Sequence, residues 1–129
     1  MLKTAVIGVG YLGRFHAQKY AGFTDSELIG VVDVDPQQAQ KVADELEVPS
    51  YTDYHEVLDQ VDAVSIVVPT VHHYETAKAF MEKGVHVLLE KPFAATIEEA
   101  EELEQLSRDK NVRLQIGHLE RFNPVFTEF

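Results

Sequence analysis

Residues 5–16 read AVIGVGYLGRFH, an apolar run that enters three glycines, Gly8, Gly10 and Gly13, spaced G-x-G-x-x-G. Two readings of this stretch compete. The glycines can form a cradle for the phosphates of a dinucleotide, or they can serve an ordinary strand-to-helix turn. In the first reading Gly8 supplies a tight turn, Gly10 admits backbone close to a pyrophosphate, and Gly13 lets helix and strand pack tightly. The helix that follows then offers free N–H donors and about half a positive charge at its N-terminus. The spacing does not decide the matter; the surrounding chain does.

Outward from the glycines, strand-like and helical patterns alternate. Apolar runs occupy 2–9, 28–34, 63–68, 85–90 and 112–117, and several are nearly continuous Val, Ile and Leu, as in strands covered on both faces. Helical patterns fall between them at 12–22, 36–47, 71–83 and 97–109, with a shorter one at 54–59. This succession predicts an α/β, Rossmann-type domain: a mainly parallel sheet of about six strands with helices on both faces. Boundary signals agree. Asp35 before Pro36 reads as an N-cap with proline at the first helical position. Thr96 to Glu99 has capping-box spacing, and Gly84 suits a helix C-terminus. Around the acidic run 98–105, Ile97, Ala100, Leu103 and Leu106 are expected to turn inward and the carboxylates outward.

The glycine motif therefore leaves a strand and opens a helix. A dinucleotide fingerprint also calls for an acid at the end of the second strand, about 20 residues further on. Asp33 stands 20 residues after Gly13, at the end of LIGVVD. Its carboxylate can accept hydrogen bonds from ribose hydroxyls and repels a 2′-phosphate. The next base after it is Lys41, already inside the following helix. The expected cofactor is NAD rather than NADP.

Bulk properties exclude other classes. The chain has 129 residues, 45% hydrophobic and 26% charged, consistent with one globular domain. Twenty-two acids against 11 bases give a net charge of −11, with no basic cluster of the kind nucleic-acid binding needs. Neither a membrane-spanning run nor a signal peptide is apparent. With no cysteine, disulfides, thiolate catalysis and zinc ribbons drop out, and a cytoplasmic location is expected. The acidic balance does not bar an anionic cofactor, because exposed charges are screened over about 8 Å. No serine lies in a G-x-S-x-G elbow, and the glycine loop lacks the G-K-[ST] of a nucleotidase. His72 and His73 are adjacent, without an i, i+4 partner, so no metal site is expected.

Three further stretches stand where strands end: VVPTVHHYE (67–75), LLEKPFA (88–94) and IGHLERFNP (116–124). In an open parallel sheet they share the carboxyl edge with the glycine loop, where ligands bind. Together, GVGYLGRFHA, VVDVDP, VPTVHH and EKPFA resemble the N-terminal domain of the glucose–fructose oxidoreductase, inositol dehydrogenase and MocA (Gfo/Idh/MocA) family over essentially the whole chain. GHLERFNP (117–124) is similar to the corresponding stretch of its UDP-N-acetylglucosamine 3-dehydrogenase branch.

The resemblance implies an NAD(P)-dependent dehydrogenase that moves hydride between a nicotinamide cofactor and the hydroxyl of a sugar, nucleotide sugar or cyclitol. By position it implies that Gly8, Gly10 and Gly13, with backbone from Tyr11 and Leu12, hold the phosphates, and that Asp33 holds the ribose. It further implies that Pro69, Thr70 and His72 flank the cofactor, with His73 less clearly matched, and that Glu90 and Lys91 lie near the nicotinamide. Lys91 is the implied catalytic residue: its cation would hold the reacting hydroxyl and stabilise charge on its oxygen. His118 falls at the same edge, with structural and functional readings open. Residues 1–118 then form the dinucleotide-binding domain and 119–129 the lead-in to a C-terminal substrate domain, whose absence predicts little or no turnover from this chain alone. Phe122, Phe126 and Phe129 in that lead-in make a homo-oligomer conceivable. A stand-alone NAD-sensing or interaction module is the alternative. An S-adenosylmethionine-dependent methyltransferase, which also follows its first strand with a glycine turn, is more distant.

Overall fold

The computed structural model describes residues 2–68, 72–89 and 96–116. Six strands form one sheet: β1 (Leu2–Ile7), β2 (Ser26–Val32), β3 (Ser50–Tyr51), β4 (Ala63–Ile66), β5 (His86–Leu89) and β6 (Leu114–Ile116). Every pairing is parallel and the spatial order is β3-β2-β1-β4-β5-β6. This is the doubly wound dinucleotide-binding order, in which the chain reverses direction across the sheet between β1 and β4. Four helices connect the strands: α1 (Tyr11–Gly22), α2 (Pro36–Leu46), α3 (His73–Glu82) and α4 (Ile97–Asp109).

The strand alternation explains how both faces are covered. Successive side chains of a strand point to opposite faces. In β1, Ala5 and Ile7 join one cluster with Ala77, Phe80 and Met81 of α3 and Leu103 of α4. Val6, between them, joins the other cluster with Ala17 and Tyr20 of α1 and Val42 and Ala43 of α2. A strand with a core on each face has no polar face to alternate with, which is why these runs read as continuously apolar.

Most expected boundaries hold within a residue or two. The segment at 54–59 is only a 3-10 turn over Tyr54–Glu56, and β3 spans two residues, too short to show a hydrophobic run. Ile97, expected inward, is 74% exposed. It is the first residue of α4, ahead of the turns that reach the core, and Leu103 carries the contact instead. Thr96 Oγ1 accepts from the Glu99 N–H at 3.1 Å, as the capping spacing predicts. Gly84 has a φ of +80° just past α3. His86 is half-buried, and its Nδ1 accepts from the Arg113 N–H at 3.0 Å across the β5–β6 pair. Burial, followed by the Arg113 charge, pushes its pKa down.

Asp35 caps α2: its Oδ1 accepts from the Gln37 N–H at 3.0 Å, ahead of Pro36 at the first helical position. Asp35→Ala is expected to cost about 1 kcal/mol, the usual loss for an N-cap. Chemical denaturation will show that loss, and NAD affinity should stay within about twofold because the lost bond is local to the helix end. A larger fall in affinity would count against a purely capping role. None of the described helices is long and apolar enough to cross a membrane.

Candidate functional site

The site begins where β1 ends. Gly8 has a φ of +93°, a conformation that side chains rarely adopt. Its N–H donates to Val32 O of β2 at 2.7 Å, and Val67 N–H donates to Ile7 O at 2.8 Å. The loop is thus drawn between its two neighbours, and a Cβ on Gly8 would come to 2.5 Å from Val67 O. Gly13, in the first turns of α1, stands so close to β1 that a Cβ there would collide with the Gly8 carbonyl oxygen. Gly10 differs: beyond its chain neighbours, a Cβ there would meet no atom of the described residues within 4 Å. Gly8 and Gly13 are glycine because the protein needs the room. At Gly10 the protein leaves the room open, as a cradle for a ligand requires.

Gly10 is also the N-cap of α1, and no side chain caps that helix. By contrast, Asp35, Asp53 and Thr96 each give a side-chain oxygen to the helix or turn that follows. The first turn of α1, which includes Tyr11 and Leu12, carries no acidic residue. A helix end of this kind offers backbone N–H groups and the positive end of its dipole to an anion.

Asp33 follows β2, and both of its oxygens are engaged. Oδ2 accepts from the Val9 N–H at 3.0 Å and Oδ1 from the Asp35 N–H at 2.9 Å. These bonds aim the carboxylate and still leave lone pairs on each oxygen for further donors. Gln38 of α2 holds the other side of the glycine loop, its Nε2 donating to Val9 O at 2.6 Å.

Gly8, Gly10 and Asp33 line one groove of about 640 Å³ at the carboxyl edge of the sheet. Its far wall comes from the loop after β3 and from the start of α3. Thr52, Asp53 and Tyr54 stand on the first of these and His72, Glu75 and Thr76 on the second. The charged lining is carboxylate, from Asp33, Asp53 and Glu75, and no Lys or Arg appears among the described residues that line it. The His55 backbone N–H, and then its ring, hold Asp53 below the usual carboxylate range. Burial, followed by the charges of Glu75 and Asp53, pushes the Tyr54 hydroxyl up.

The two adjacent histidines separate. His72 is exposed and lines the groove. His73 is buried, its Nε2 donating to Val68 O at 2.8 Å and tying α3 to the end of β4. His16 of α1 is buried, its Nδ1 3.0 Å from Ser65 Oγ, which also bonds Tyr20 OH at 2.7 Å. Pro69, Thr70, Glu90, Lys91, His118 and the segment 119–129 lie outside the described residues.

Of the residues the sequence singles out, Gly8, Gly10, Asp33 and His72 line the groove, and Gly13 packs behind it against Gly8. Sequence reasoning missed Gln38 and the wall formed by Thr52, Asp53, Tyr54, Glu75 and Thr76. Asp53 carried a signal, since it precedes a short turn it can cap, but a two-residue strand before it hid its place at the carboxyl edge.

Comparison with known proteins bears on this geometry. Residues 2–118 match the GFO_IDH_MocA family model, described as an oxidoreductase family with an NAD-binding Rossmann fold. The UDP-N-acetylglucosamine 3-dehydrogenase of Acidithiobacillus ferrooxidans is 46% identical over 124 residues, which are 96% of this chain and 39% of that protein. Its solved structure superposes with a TM-score of 0.87, covering 98% of this chain and 41% of that one. The scyllo-inositol dehydrogenase of Lactobacillus casei, solved with bound NAD(H) and scyllo-inositol, is 29% identical with a TM-score of 0.85. It is matched over 95% of this chain and 37% of its own. The chain thus spans about two fifths of the relatives it matches.

Proposed function

We propose, since the chain belongs to the Gfo/Idh/MocA oxidoreductase family with its NAD-binding Rossmann fold, that it supplies the NAD-holding half of a dehydrogenase acting on a sugar-type hydroxyl. The observation that carries this reading is the glycine loop. It leaves space at Gly10 and an uncapped α1, beside an Asp33 carboxylate already aimed by two backbone bonds.

In this reading the pyrophosphate lies against Gly8, Gly10 and the first turn of α1, including the Tyr11 and Leu12 backbone and the tightly packed Gly13. Asp33 accepts from the adenosine ribose, and His72 lines the cofactor groove. Bound NAD would supply the hydride acceptor. Lys91 is the proposed catalytic residue, with Glu90, Pro69 and Thr70 beside it, on the strength of the EKP and VPT motifs. The 46% identity to a UDP-N-acetylglucosamine 3-dehydrogenase favours a nucleotide sugar as substrate of the whole protein. Family membership favours this reading over a methyltransferase. The cysteine-free, acidic composition favours a cytoplasmic location and no nucleic-acid partner.

Calorimetric titration with both cofactors tests the proposal. NAD is expected to bind at least about tenfold more tightly than NADP, since a like charge set against the 2′-phosphate costs upwards of about 1.4 kcal/mol. Tighter NADP binding would overturn the cofactor assignment. Little or no turnover of UDP-N-acetylglucosamine is expected from these 129 residues alone, and sustained turnover would contradict the division of labour proposed.

A further inference from the structure

The glycine loop is held by side chains on both sides of a single residue. Val9 lies between the first two glycines and is fully buried. Its N–H is taken by Asp33 Oδ2 at 3.0 Å, and its carbonyl oxygen by Gln38 Nε2 at 2.6 Å. Asp33 stands at the end of β2 and Gln38 in the first turn of α2, so two independent points of the fold grip one residue.

The grip on the carbonyl reaches beyond Val9. A trans peptide is planar, so the Val9 C=O and the Gly10 N–H point in opposite directions. Whatever orients that carbonyl also orients that N–H. Gly10 lacks a Cβ and has open space around it, so sterics alone leave the peptide free to rotate about its soft dihedrals. The opening that admits a phosphate thus also admits a flipped peptide, which would turn the N–H away and present a carbonyl oxygen to the anion.

We propose that Gln38 is a positioning residue that locks the Val9–Gly10 peptide, so that the loop meets a pyrophosphate with its N–H groups already set. This inference rests on the cofactor reading given above. It assigns Gln38 no contact with the ligand. The gain lies in preorganisation, because a loop ordered before binding does not have to be ordered by the ligand.

The test uses Gln38→Met, which keeps the length of the side chain and removes the donor. Gln38→Ala serves as a second variant. Gln38 is only half-buried, and thermal melts will verify that each variant is folded. Affinities for NAD, ADP and adenosine are measured by calorimetry or by NMR titration. Both variants are expected to bind NAD and ADP about 5- to 20-fold more weakly, the scale of one hydrogen bond in a shielded site, and adenosine within about twofold of the wild type. Unchanged NAD and ADP affinity would overturn the inference. A parallel loss for adenosine would overturn it too, since Gln38 would then be shaping the groove as a whole. If the wild-type chain bound no NAD, the cofactor reading would fail and take this inference with it. NAD binding by the wild type without the split between ligands would sink the inference alone.

Discussion

Gly13→Ala is expected to abolish measurable NAD binding and to lower the melting temperature by roughly 10 °C or more. The added methyl would collide with the Gly8 carbonyl oxygen, a backbone atom. Flexible side chains can swing aside from an added Cβ, but this oxygen cannot. Gly8 itself is confined by its bond to Val32 O and by Val67 on its other side. The alternative is for α1 to lift from the sheet, and Ala17 and Tyr20 of that helix are fully buried against it. Overpacking of a rigid site costs about 3 kcal/mol. At roughly 4 °C per kcal/mol for a domain of this size, the melting shift follows. Binding suffers more than stability because the helix N-terminus and the loop both move from the positions a pyrophosphate needs. Calorimetry and a thermal melt on one sample read both effects. A variant that melts normally and binds NAD normally would show that the close approach of α1 to β1 is not as tight as described.

Asp33→Ala is expected to weaken NAD by about 10- to 100-fold, in line with about 1.5–3 kcal/mol for hydrogen bonds to a charged acceptor. Two losses combine. The proposed ribose acceptor disappears, and the buried Val9 N–H is left without its partner. Asp33→Asn should fail as well, although it is nearly isosteric. Each carboxylate oxygen accepts a backbone N–H, from Val9 and from Asp35, and an amide has one acceptor oxygen to offer. Its NH₂ would face a donor. The NADP affinity of the alanine variant should fall less than its NAD affinity, because removing the carboxylate also removes repulsion of the 2′-phosphate. Titrations of both variants with both cofactors check the pattern. Full NAD affinity in the asparagine variant would mean that only one of the two backbone bonds matters.

The pair Asp33 and Asp35 shows how far local sequence reaches. Two acids two residues apart look alike in composition, but position separates them. Asp35 precedes a proline that starts a helix, so its capping role is a local matter, legible from three consecutive residues. Asp33 ends an apolar run 20 residues beyond a glycine motif, so its place at a strand end beside the glycine loop is legible from strand periodicity and spacing. The bond from Asp33 to Val9 was not legible, because it spans 24 residues and depends on β1 and β2 lying side by side. Gln38 was hidden for the same reason: an amide in a polar helix turn carries no mark of a partner 29 residues away. His72 and His73 were legible as pointing apart, since neighbours on a helix start differ by about 100°, but burial alone showed which one faces the groove.

Periodicity, glycine spacing and capping residues were enough to establish the succession of strands and helices and to place the glycine loop and Asp33 at one edge of the sheet. All of these arise from forces acting within a turn of helix or along one strand: steric limits on φ, amphipathic alternation, and satisfaction of helix ends. The far wall of the groove, the double grip on Val9 and the outward turn of Ile97 came only with the assembled fold. The first two depend on which strands become neighbours, and parallel neighbours in this sheet are brought together by crossovers that carry no local record of the contacts they create.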